Sequence, residues 1–466
     1  MAGTIVSGAG GREFDGVSID SRTLGAGDLF IAIGGDRFDG VDFVPAAIAA
    51  GAGGVVVPSG RVDARAAGGD RVVIEVADTV EALQALGHAV RRASGARVVA
   101  ITGSAGKTTT KEITAEFLAA RKRVIRNRGN LNNHIGLPLS LIELRNRPDV
   151  AVVELGMNHA GEISTLVRIA EPEIRVWTNV GEAHLGFFES VEAIADAKAE
   201  LLEQADERTV LVANADDDRV MARSRSFAGR VVTFGVARPA VVRAASVVDR
   251  GVEGVAATVV TPRGEVDLAA PLVGRGNLAN VLAATAVALE FDVPLESIAE
   301  RARALRPSAH RGQVVTLAGN IIVIDDSYNA NPAAMRQSLD ILAQLHGASK
   351  PGATSVASRP RRRVAVLGEM LELGEHAGAL HEQVGRYAAG AGLDLLIAVG
   401  GGPAESLARA AVQGGMAAGS VRYFSTSDDA AEAVASLVQP GDVVLVKGSR
   451  SVRTDRVVDR LAAERG

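Results

Sequence analysis

The sequence predicts an α/β protein with three domains. Short runs of β-branched residues alternate along the chain with Ala- and Leu-rich helical stretches, an alternation typical of parallel sheets joined by crossover helices. The chain has 466 residues, and because domains usually contain about 100–200 residues, a single core is excluded. Glycine or polar residues follow most of the apolar runs, as they do where parallel strands end at a ligand crevice.

The first domain is predicted over residues 1–93. It contains the apolar runs LFIAI (29–33) and GVVV (54–57) and closes with the helical stretch TVEALQALGHAVRRA. The dipeptide Ser94-Gly95 then interrupts the helical pattern, because glycine is a strong punctuator of local structure. We expect a small N-terminal α/β domain.

The second and third domains are predicted over residues 94–310 and 311–466. An Ala-rich helix near residues 278–290 closes the second domain, after the strand-like runs RVVAIT, DVAVVELG, IRVWTNV and TVLVAN. The third domain has four runs that end in glycine or polar residues, namely IIVIDDS, RVAVLGE, DLLIAVGG and GDVVLVKGS. These patterns favour a central parallel-sheet domain and a C-terminal Rossmann-like, doubly wound domain. The polar run HGASKPGATSVASRP (346–360) is predicted to be a surface loop of the third domain.

Composition and charge exclude several classes of function. The formal net charge is −5, which does not fit a nucleic-acid binder. The densest cationic cluster, residues 361–363, precedes an apolar run and is interpreted as a solvated strand entry. A signal-peptide pattern and a run of about 18 apolar residues are both missing, and the lack of cysteine excludes disulfides and thiolate sites. We expect a cytoplasmic monomer that binds neither nucleic acid nor membrane.

The stretch AITGSAGKTTTKE resembles a phosphate-binding loop, although the full pattern G-x-x-x-x-G-K-[ST] requires glycine where this chain has Ile101. We predict a strand, the tight turn TGSAGK and a helix beginning near Thr108, so that the backbone N–H groups of residues 103–108 converge on one point. Lys107 adds a cation, and the hydroxyl of Thr108 or Thr109 suits Mg²⁺. An ordinary glycine-rich turn, the alternative, needs neither the lysine nor three consecutive hydroxyl groups.

The sequence therefore predicts an ATP site, which makes the central domain a P-loop-type ATPase domain. The loop residues assigned to it are Thr102, Gly103, Ser104, Ala105, Gly106, Lys107, Thr108 and Thr109.

Two charged residues outside the loop add to this site. Glu154 ends the apolar strand VAVVE, so its carboxylate is a candidate Mg²⁺ ligand at the edge of the sheet; an exposed strand-end acid is the alternative. Lys198 lies in the helical stretch SVEAIADAKAELLEQA and shares a face with four apolar residues, Val191, Ile194, Leu201 and Leu202. Charged groups rarely lie unpaired on a buried face, although a lysine can also extend along it to solvent.

Five further stretches, together with the shortened loop, resemble the Mur ligases, the ATP-dependent amide-forming enzymes of peptidoglycan precursor synthesis. They lie in the second and third predicted domains: GNLNNHIGLPLSL (129–141), VVELGMNHAGEI (152–163), TNVGEAHLGFF (178–188), DDSYNANPAAM (325–335) and LGEMLELGEHAGALH (367–381). Two positions depart from the family pattern. HRGQ (310–313) stands where many members have Gly-Arg followed by an acidic or apolar residue, and Glu369 stands where many have Asp.

The resemblance implies a reaction in which the γ-phosphate of ATP is transferred to a carboxylate, and an amine then attacks the acyl phosphate. Such catalysis depends on positioning and on charge neutralisation, and the resemblance implies Mg²⁺ alongside ATP. The implied catalytic residues are Lys107, Glu154, His184 and Lys198, with Lys198 carbamylated; the implied metal ligands are Thr108, Glu154, His184 and Lys198.

The motif set is most similar to that of the family member that joins D-alanyl-D-alanine to UDP-N-acetylmuramoyl-tripeptide, so these are the expected substrates. Ser21 and Arg22 are the implied uridine-nucleotide contacts, unless they are a capping serine and a surface arginine. Further implied substrate contacts are Asn132, Asn133, Asn331, Lys447, Ser449 and Arg450. The remaining implied ATP contacts are Asn277 and Asn280 for adenine, with Arg311, Asp326 and Asn329. A helix cap at Asn277 and an Asx turn in DDSYNANP are the structural alternatives.

Other readings of the chain stay open at this point. A P-loop switch or regulatory ATPase leaves Lys198 and the outer domains unexplained, and a catalytically silent scaffold does not require Lys107, Glu154, His184 and Lys198 together. Within the enzymes, the alternatives are a ligase for a different amino acid and a folylpolyglutamate-synthase-like ligase.

Overall fold

A computed structural model describes residues 3–35, 38–62, 71–345 and 361–466. The predicted surface loop at 346–360 lies outside the described residues. Within them, the strands are β1 (Thr4–Ser7), β2 (Val17–Ser18), β3 (Leu29–Ile31), β4 (Gly54–Pro58), β5 (Val72–Val76), β6 (Arg97–Thr102), β7 (Val124–Arg126), β8 (Val150–Glu154), β9 (Ile174–Trp177), β10 (Val210–Asn214), β11 (Arg230–Gly235), β12 (Val242–Asp249), β13 (Val255–Thr261), β14 (Gly264–Ala270), β15 (Gln313–Leu317), β16 (Ile321–Asp326), β17 (Arg363–Gly368), β18 (Leu395–Val399), β19 (Val421–Phe424) and β20 (Val443–Lys447).

The α-helices alternate with these strands for most of the chain. They are α1 (Val44–Ala49), α2 (Thr79–Ser94), α3 (Lys107–Leu118), α4 (Gly136–Ile142), α5 (Glu162–Ala170), α6 (Val191–Ala199), α7 (Asp218–Ser224), α8 (Arg275–Leu289), α9 (Leu295–Ala304), α10 (Pro332–Gln344), α11 (Ala377–Gly390), α12 (Gly402–Gln413), α13 (Ser427–Leu437) and α14 (Asp455–Arg465). Within the described part of the chain, every helix is too short or too polar to cross a lipid bilayer.

The N-terminal sheet has the strand order β1-β5-β4-β3-β2. Strands β2 to β5 are parallel, and β1 pairs with β5 in the antiparallel sense. Helix α2 follows this sheet and ends where the sequence predicts, because Gly95 adopts the left-handed conformation (φ 67°) that commonly terminates helices. Its N-terminus is capped by Asp78, whose carboxylate accepts hydrogen bonds from the backbone N–H groups of Val80 and Glu81.

The central sheet has the order β14-β13-β12-β11-β10-β9-β6-β8-β7. Strands β6, β8, β9 and β10 are apolar runs with almost every residue buried, which is the pattern of a parallel sheet covered on both faces. The antiparallel strands β12, β13 and β14 extend this sheet beyond the parallel arrangement that the sequence predicts. They were missed because β13 alternates buried and half-buried residues instead of forming a continuous apolar run.

The C-terminal sheet has the order β15-β16-β20-β17-β18-β19. All neighbours are parallel except β15 and β16. Helices cover both faces, with Leu339 and Val384 in the apolar core on one side and Val434 and Leu461 in the core on the other. This confirms the doubly wound C-terminal prediction, and the three sheets together confirm the α/β class.

The chain forms two compact units. One contains residues 1–100, 122–157 and 161–174, and the other contains residues 101–121, 158–160 and 175–466. The domain boundaries at 93/94 and 310/311 remain predictions.

Helix α6 is shorter than the sequence predicts. Its α-helical part ends at Ala199 and continues as a 3-10 turn, Glu200–Leu202. The buried guanidinium of Arg175, on β9, donates hydrogen bonds to the carbonyl oxygens of Leu201 (2.5 Å) and Glu203. These hydrogen bonds occupy carbonyl groups at the end of the 3-10 turn, which lies directly after α6.

Candidate active site

The loop between β6 and α3 is held by the segment that follows β9. Backbone N–H groups of Ser104 and Ala105 donate to Asn179, to its carbonyl oxygen (3.0 Å) and its Oδ1 (2.8 Å) respectively. The Thr178 hydroxyl and the Asn179 amide both donate to the Ala105 carbonyl oxygen, at 2.7 and 3.1 Å. Two of the N–H groups expected to face phosphate are therefore already bonded within the protein. The sequence prediction of convergent donors from 103 to 108 is wrong for these two.

Lys107 begins helix α3, one residue earlier than predicted. Its Nζ folds back and donates to the carbonyl oxygen of Gly103, 2.8 Å away. Gly103 itself has φ 153°, and a Cβ there would stand 1.9 Å from the Thr178 hydroxyl, so the close approach of the loop requires glycine. The loop thus has a preset shape, with the cation of Lys107 across it at the N-terminus of a helix.

His184 lies in the same compact unit and is held by Glu372. The distance from His184 Nδ1 to Glu372 Oε2 is 2.7 Å. Burial lowers the pKa of His184, the hydrogen bond to Glu372 raises it, and the positive charges of Lys107 and Lys198 lower it further. The hydrogen bond from His184 lowers the pKa of Glu372, which keeps this carboxylate ionised. The positive charges of two further predicted catalytic residues, Lys107 and Lys198, therefore act on His184.

Lys198 is buried, as the sequence predicts, with 1% of the residue exposed. Ile194 and Leu201 are buried beside it along the chain, whereas Val191 and Leu202 are half-buried. A lysine buried in this way loses much of the hydration that stabilises its charged form. The alternative of a side chain that extends to solvent is excluded.

Glu154 is the last residue of β8 and is 4% exposed. Its Oε1 accepts a hydrogen bond from Asn132 Nδ2 at 2.8 Å, and its backbone N–H donates to Asn127 Oδ1 at 3.0 Å. Asn132 belongs to the stretch GNLNNHIGLPLSL (129–141), and Asn127 lies just before it. Asn132 thus lies beside Glu154, and Asn133 instead caps the next turn, accepting from the N–H of Gly136 at 2.8 Å.

The residues that the sequence predicts to hold Mg²⁺ remain a prediction. Within the described residues, no group of three or more His, Asp or Glu side chains forms a closed metal site. Mg²⁺ is usually held by one or two protein carboxylates plus phosphate oxygens and water, so a sparse protein donor set suits it. A carbamate on Lys198 would add the anionic oxygens that a bare lysine lacks.

Asn277 and Asn280 lie together on α8, but their amide groups bond each other. Asn280 Nδ2 donates to Asn277 Oδ1 (3.2 Å), Asn277 Nδ2 donates to the Val273 carbonyl oxygen (2.9 Å), and Asn280 Oδ1 accepts from the Thr110 hydroxyl (3.1 Å). Asn280 also packs against the loop, because a Cβ on Gly106 would stand 2.4 Å from its Oδ1. In this conformation the pair supports the loop. The alternative of a helix cap at Asn277 is excluded, since α8 begins after Gly274.

Asp326 and Lys447 meet at the carboxyl ends of neighbouring strands β16 and β20. The buried Lys447 Nζ lies 2.5 Å from Asp326 Oδ2 and 3.2 Å from the Asn329 carbonyl oxygen. The side chain of Asn331 caps α10 by accepting from the N–H of Ala334 (2.9 Å), and Asn329 Oδ1 accepts from the adjacent N–H of Ala330 (2.9 Å). Capping thus uses part of the hydrogen-bonding capacity of both asparagines.

The other predicted contacts of this unit are also placed. Ser449 Oγ accepts from the N–H of Leu371 (2.9 Å), and Arg450 donates to Asp455 Oδ2 (3.0 Å). The guanidinium of Arg311 stacks over the Tyr328 ring, 4.1 Å from its centroid.

In the N-terminal sheet region, Arg22 forms a two-bond pair with Asp20, at 2.9 and 2.7 Å, and its side chain is largely exposed. This pairing lowers the pKa of Asp20 to about 2. Ser21, between them, is half-buried.

Sequence reasoning missed two residues of the site, Asn179 and Glu372. Both occur inside quoted motifs, TNVGEAHLGFF and LGEMLELGEHAGALH, but neither has a residue type that by itself indicates its role. Their partners lie 74 and 188 positions away in the chain. Only the fold brings those partners together.

The fold and the site define a multidomain α/β nucleotide-binding protein of the P-loop type. Three family models match the chain: the Mur ligase family catalytic domain over residues 13–128, the Mur ligase middle domain over 101–288, and the Mur ligase, glutamate ligase domain over 310–450. The chain belongs to the Mur ligase family.

Curated relatives match it along nearly the whole length. It is 36% identical to the UDP-N-acetylmuramoyl-tripeptide--D-alanyl-D-alanine ligases of Mycobacterium tuberculosis and Escherichia coli, over 96% of this chain and 92% and 93% of theirs. The crystal structure of MurF from Acinetobacter baumannii superimposes with a TM-score of 0.83 at 31% identity, covering 96% of this chain and 93% of that one. MurF ligase from Thermotoga maritima, in complex with ADP, gives 0.81 at 28% identity, with 96% and 97% covered. Folylpolyglutamate synthase of M. tuberculosis, at 18% identity, shares the fold alone, with a TM-score of 0.62 and coverage of 83% and 93%.

Proposed function

We propose that this protein is an ATP-dependent ligase that joins D-alanyl-D-alanine to UDP-N-acetylmuramoyl-tripeptide and releases ADP and phosphate. The observation that carries the proposal is the identity of 36%, along 96% of the chain, to ligases named for this reaction. The product is the UDP-linked pentapeptide precursor of peptidoglycan. A cytoplasmic location and a monomeric state are part of the proposal and follow from the family resemblance.

The chain's own residues supply positioning and positive charge to the reaction. Lys107, fixed across the loop, neutralises charge on the transferring phosphoryl group, and the N-terminus of α3 adds its partial positive charge. The substrate carboxylate attacks the γ-phosphorus, the bond to the β,γ-bridging oxygen breaks, and ADP leaves. The dipeptide amine then attacks the acyl phosphate carbonyl, and phosphate leaves as the amide forms. A preset loop helps because it needs little reorganisation during the reaction.

Mg²⁺ is proposed as the ion that accompanies ATP, and when bound it neutralises charge on the phosphate oxygens. Thr108, His184 and a carbamylated Lys198 are the proposed ligands, and Glu154 remains a predicted ligand on account of its buried carboxylate. Carbamylation joins the neutral lysine amine to carbon dioxide with loss of one proton.

Among the remaining predicted contacts, Ser21 and Arg22 are proposed for the uridine nucleotide, and Asn277, Asn280, Arg311, Asp326 and Asn329 for ATP. Further proposed substrate contacts are Asn132, Asn133, Asn331, Lys447, Ser449 and Arg450. For Asn277 and Asn280, contact with adenine requires the amide pair to exchange its internal hydrogen bond for the base. Ligand-bound structures test each of these assignments.

The ligase proposal is tested with purified protein, ATP and Mg²⁺. We expect ADP release only when both the UDP-linked tripeptide and D-alanyl-D-alanine are present, together with a mass gain of the acceptor equal to one dipeptide less water. Single amino acids and folate with glutamate serve as competing substrates. ADP release without an acceptor, or preferential use of one of the competing substrates, would count against the proposal.

The carbamate is tested separately with Lys198→Ala, compared with the exposed Lys122→Ala as a control. We expect folded Lys198→Ala protein to lose ligation and the control to retain it, because the role of Lys198 is chemical. A metal-bound crystal structure should show planar density beyond Lys198 Nζ. An unmodified Lys198 in an active complex, with an alanine variant that still turns over, would contradict it.

A further inference from the structure

Two short 3-10 turns from distant parts of the second compact unit form a direct contact. One is Leu185–Phe187, which follows His184, and the other is Gly374–His376, which follows Glu372. Glu372 binds the first turn twice: its carboxylate bonds His184 Nδ1 at 2.7 Å, and its carbonyl oxygen accepts the N–H of Gly186 at 2.8 Å. We name residues 184–187 together with 372–376 the His184 clasp.

The close approach of the two turns depends on a pair of glycines. A Cβ on Gly186 would stand 2.6 Å from the Gly374 nitrogen and 2.9 Å from the Glu372 carbonyl oxygen. A Cβ on Gly374 would stand 2.8 Å from the Gly186 Cα. Leu185 adds an apolar contact, since it packs against the core cluster that contains Met370 and Leu373. The clasp is thus a fitted contact rather than a single surface ion pair.

Both partners of the hydrogen bond have unusual backbones. His184 has φ 64° and Glu372 has φ 62°, in the left-handed region that residues with side chains rarely adopt. Such conformations are unfavourable for residues with side chains and persist where the surroundings fix them, often at functional sites. The strain falls on the two residues whose side chains meet.

The chemistry of the pair fixes the form of the imidazole. An ionised Glu372 only accepts hydrogen bonds, so Nδ1 of His184 carries the proton and Nε2 keeps its lone pair. A carboxylate that holds the far nitrogen in this way orients histidine ligands in metal sites. The charges of Lys107 and Lys198 act on this ring, so the pair belongs to the neighbourhood of the proposed reaction.

We propose that Glu372 is a positioning residue that holds His184 in its Nδ1–H tautomer. In this proposal the tautomer depends on the position of the 372–376 turn, because the His184 clasp joins that turn to His184. Glu372 belongs to the predicted C-terminal domain and His184 to the predicted central one, so the clasp joins residues of two predicted domains. The predicted effect on turnover rests on the proposed ligase function. The predicted tautomer of His184 does not.

The experiment compares Glu372→Gln and Glu372→Ala with Glu375→Gln. Glu375 lies in the same turn, with its side chain 89% exposed, and serves as the matched control. The structural readout is nitrogen NMR of protein labelled in its histidine rings, with the His184 signals assigned by their loss in His184→Ala. We expect the Nδ1–H form in the wild type and the control, and loss of that form in Glu372→Ala.

The kinetic measurements are kcat and the KM for the UDP-linked substrate, determined separately for each variant. We expect kcat to fall about 10- to 100-fold in Glu372→Ala, the range for loss of such a supporting carboxylate. The KM for the UDP-linked substrate should be unchanged, and Glu372→Gln should retain intermediate turnover. Glu372→Ala combined with His184→Ala should be no worse than His184→Ala alone.

An unchanged His184 tautomer in Glu372→Ala, or equal kinetic losses in Glu372→Ala and Glu375→Gln, would overturn the inference. If Glu372→Ala fails to fold, Glu372→Gln decides the matter, because it keeps the shape of the side chain. A wild type without ligase activity would refute the proposed function alone, since the NMR comparison still tests the clasp.

Discussion

Two glycine-rich turns of this molecule join a parallel strand to a helix, and they differ in what occupies the helix N-terminus. In the turn 103–106, the amide side chain of Asn179 holds the loop, and Lys107 crosses it as a cation. In the turn 400–402, the carboxylate of Glu369 accepts the N–H of Gly401 at 2.7 Å. The first turn therefore has a lysine ammonium beside the helix N-terminus, whereas the second has a glutamate carboxylate there.

The difference shows that glycine content does not make a phosphate site. A helix N-terminus attracts negative charge in either case. In the second turn the protein satisfies that attraction with Glu369, and the geometry leaves little room, because a Cβ on Gly400 would stand 2.7 Å from the Glu369 Cβ. The two turns therefore differ in charge, because a lysine of the adjoining helix lies across the first and a carboxylate from a distant part of the chain lies in the second.

The largest effect is expected when the cation of the first turn is removed, and this change tests the difference between the two turns most directly. Lys107→Ala should lower ligase turnover about 10²–10³-fold, the usual loss for one electrostatic contact to a reacting group. Lys122→Ala, at an exposed position, is the control. Turnover above about a tenth of wild type in folded Lys107→Ala protein would contradict the role of Lys107.

A smaller effect is expected when the support of the loop is removed. Asn179→Ala deletes two hydrogen bonds to Ala105, at 2.8 and 3.1 Å. Net hydrogen-bond contributions of about 0.5–1.5 kcal/mol each sum to about 1–3 kcal/mol, which predicts a rise in KM for ATP of about 5- to 150-fold. Asn146→Ala, on an exposed surface, should leave KM unchanged. Equal KM values for the two variants would mean that the loop holds its shape without Asn179.

The second turn should respond in stability and not in catalysis. Glu369→Ala removes the acceptor of the Gly401 N–H, and we expect a loss of about 1 kcal/mol in the free energy of unfolding. Ligase turnover should stay within a few-fold of wild type. Glu405→Ala, in the first turn of α12, is the control. Urea unfolding measures the loss of stability, and a separate assay of ligase turnover measures any loss of catalysis. A turnover loss as large as that of Lys107→Ala would erase the distinction between the turns.

The smallest effect concerns His381, which supports the residue next to Glu369. Its Nε2 accepts the N–H of Met370 (2.9 Å) and its Nδ1 donates to the Ala377 carbonyl oxygen (2.7 Å), so the ring is neutral. Burial lowers the pKa of His381, and the unfolded state therefore binds the proton more readily. The contribution to stability is present above the ordinary histidine pKa of about 6.5 and is lost as the pH falls below it.

Unfolding midpoints in urea, measured from about pH 7.5 to pH 5.5, test this linkage. The wild type should lose more stability over that interval than His381→Gln, which does not titrate. His376→Gln, at a half-buried position in the turn that precedes the same helix, should follow the wild type. Parallel pH profiles for the wild type and His381→Gln would show that His381 does not contribute.

Residues close together in the chain could be interpreted from the sequence alone. The turn TGSAGK, the lysine at its end and the helix after it belong to one contiguous stretch, and the apolar runs β6, β8 and β10 are buried on both faces, so their composition indicates their type. The burial of Lys198 also followed from spacing, because helical periodicity places it among apolar neighbours. Helix α2 ended where Gly95 predicts, since the left-handed conformation is a local property of glycine.

Only the tertiary structure decided how those pieces are used. Asn179 holds the loop, Arg175 bonds the carbonyl groups that follow α6, Asn280 accepts from the Thr110 hydroxyl, and Glu372 holds His184. In each case the partner is far away in the chain. A sequence states which donors and acceptors exist, but a hydrogen bond depends on distances of about 3 Å that the packing of sheets and helices sets. Local motifs therefore indicated the type of chemistry. The orientation of the groups that perform it depends on contacts between segments that are far apart in the sequence.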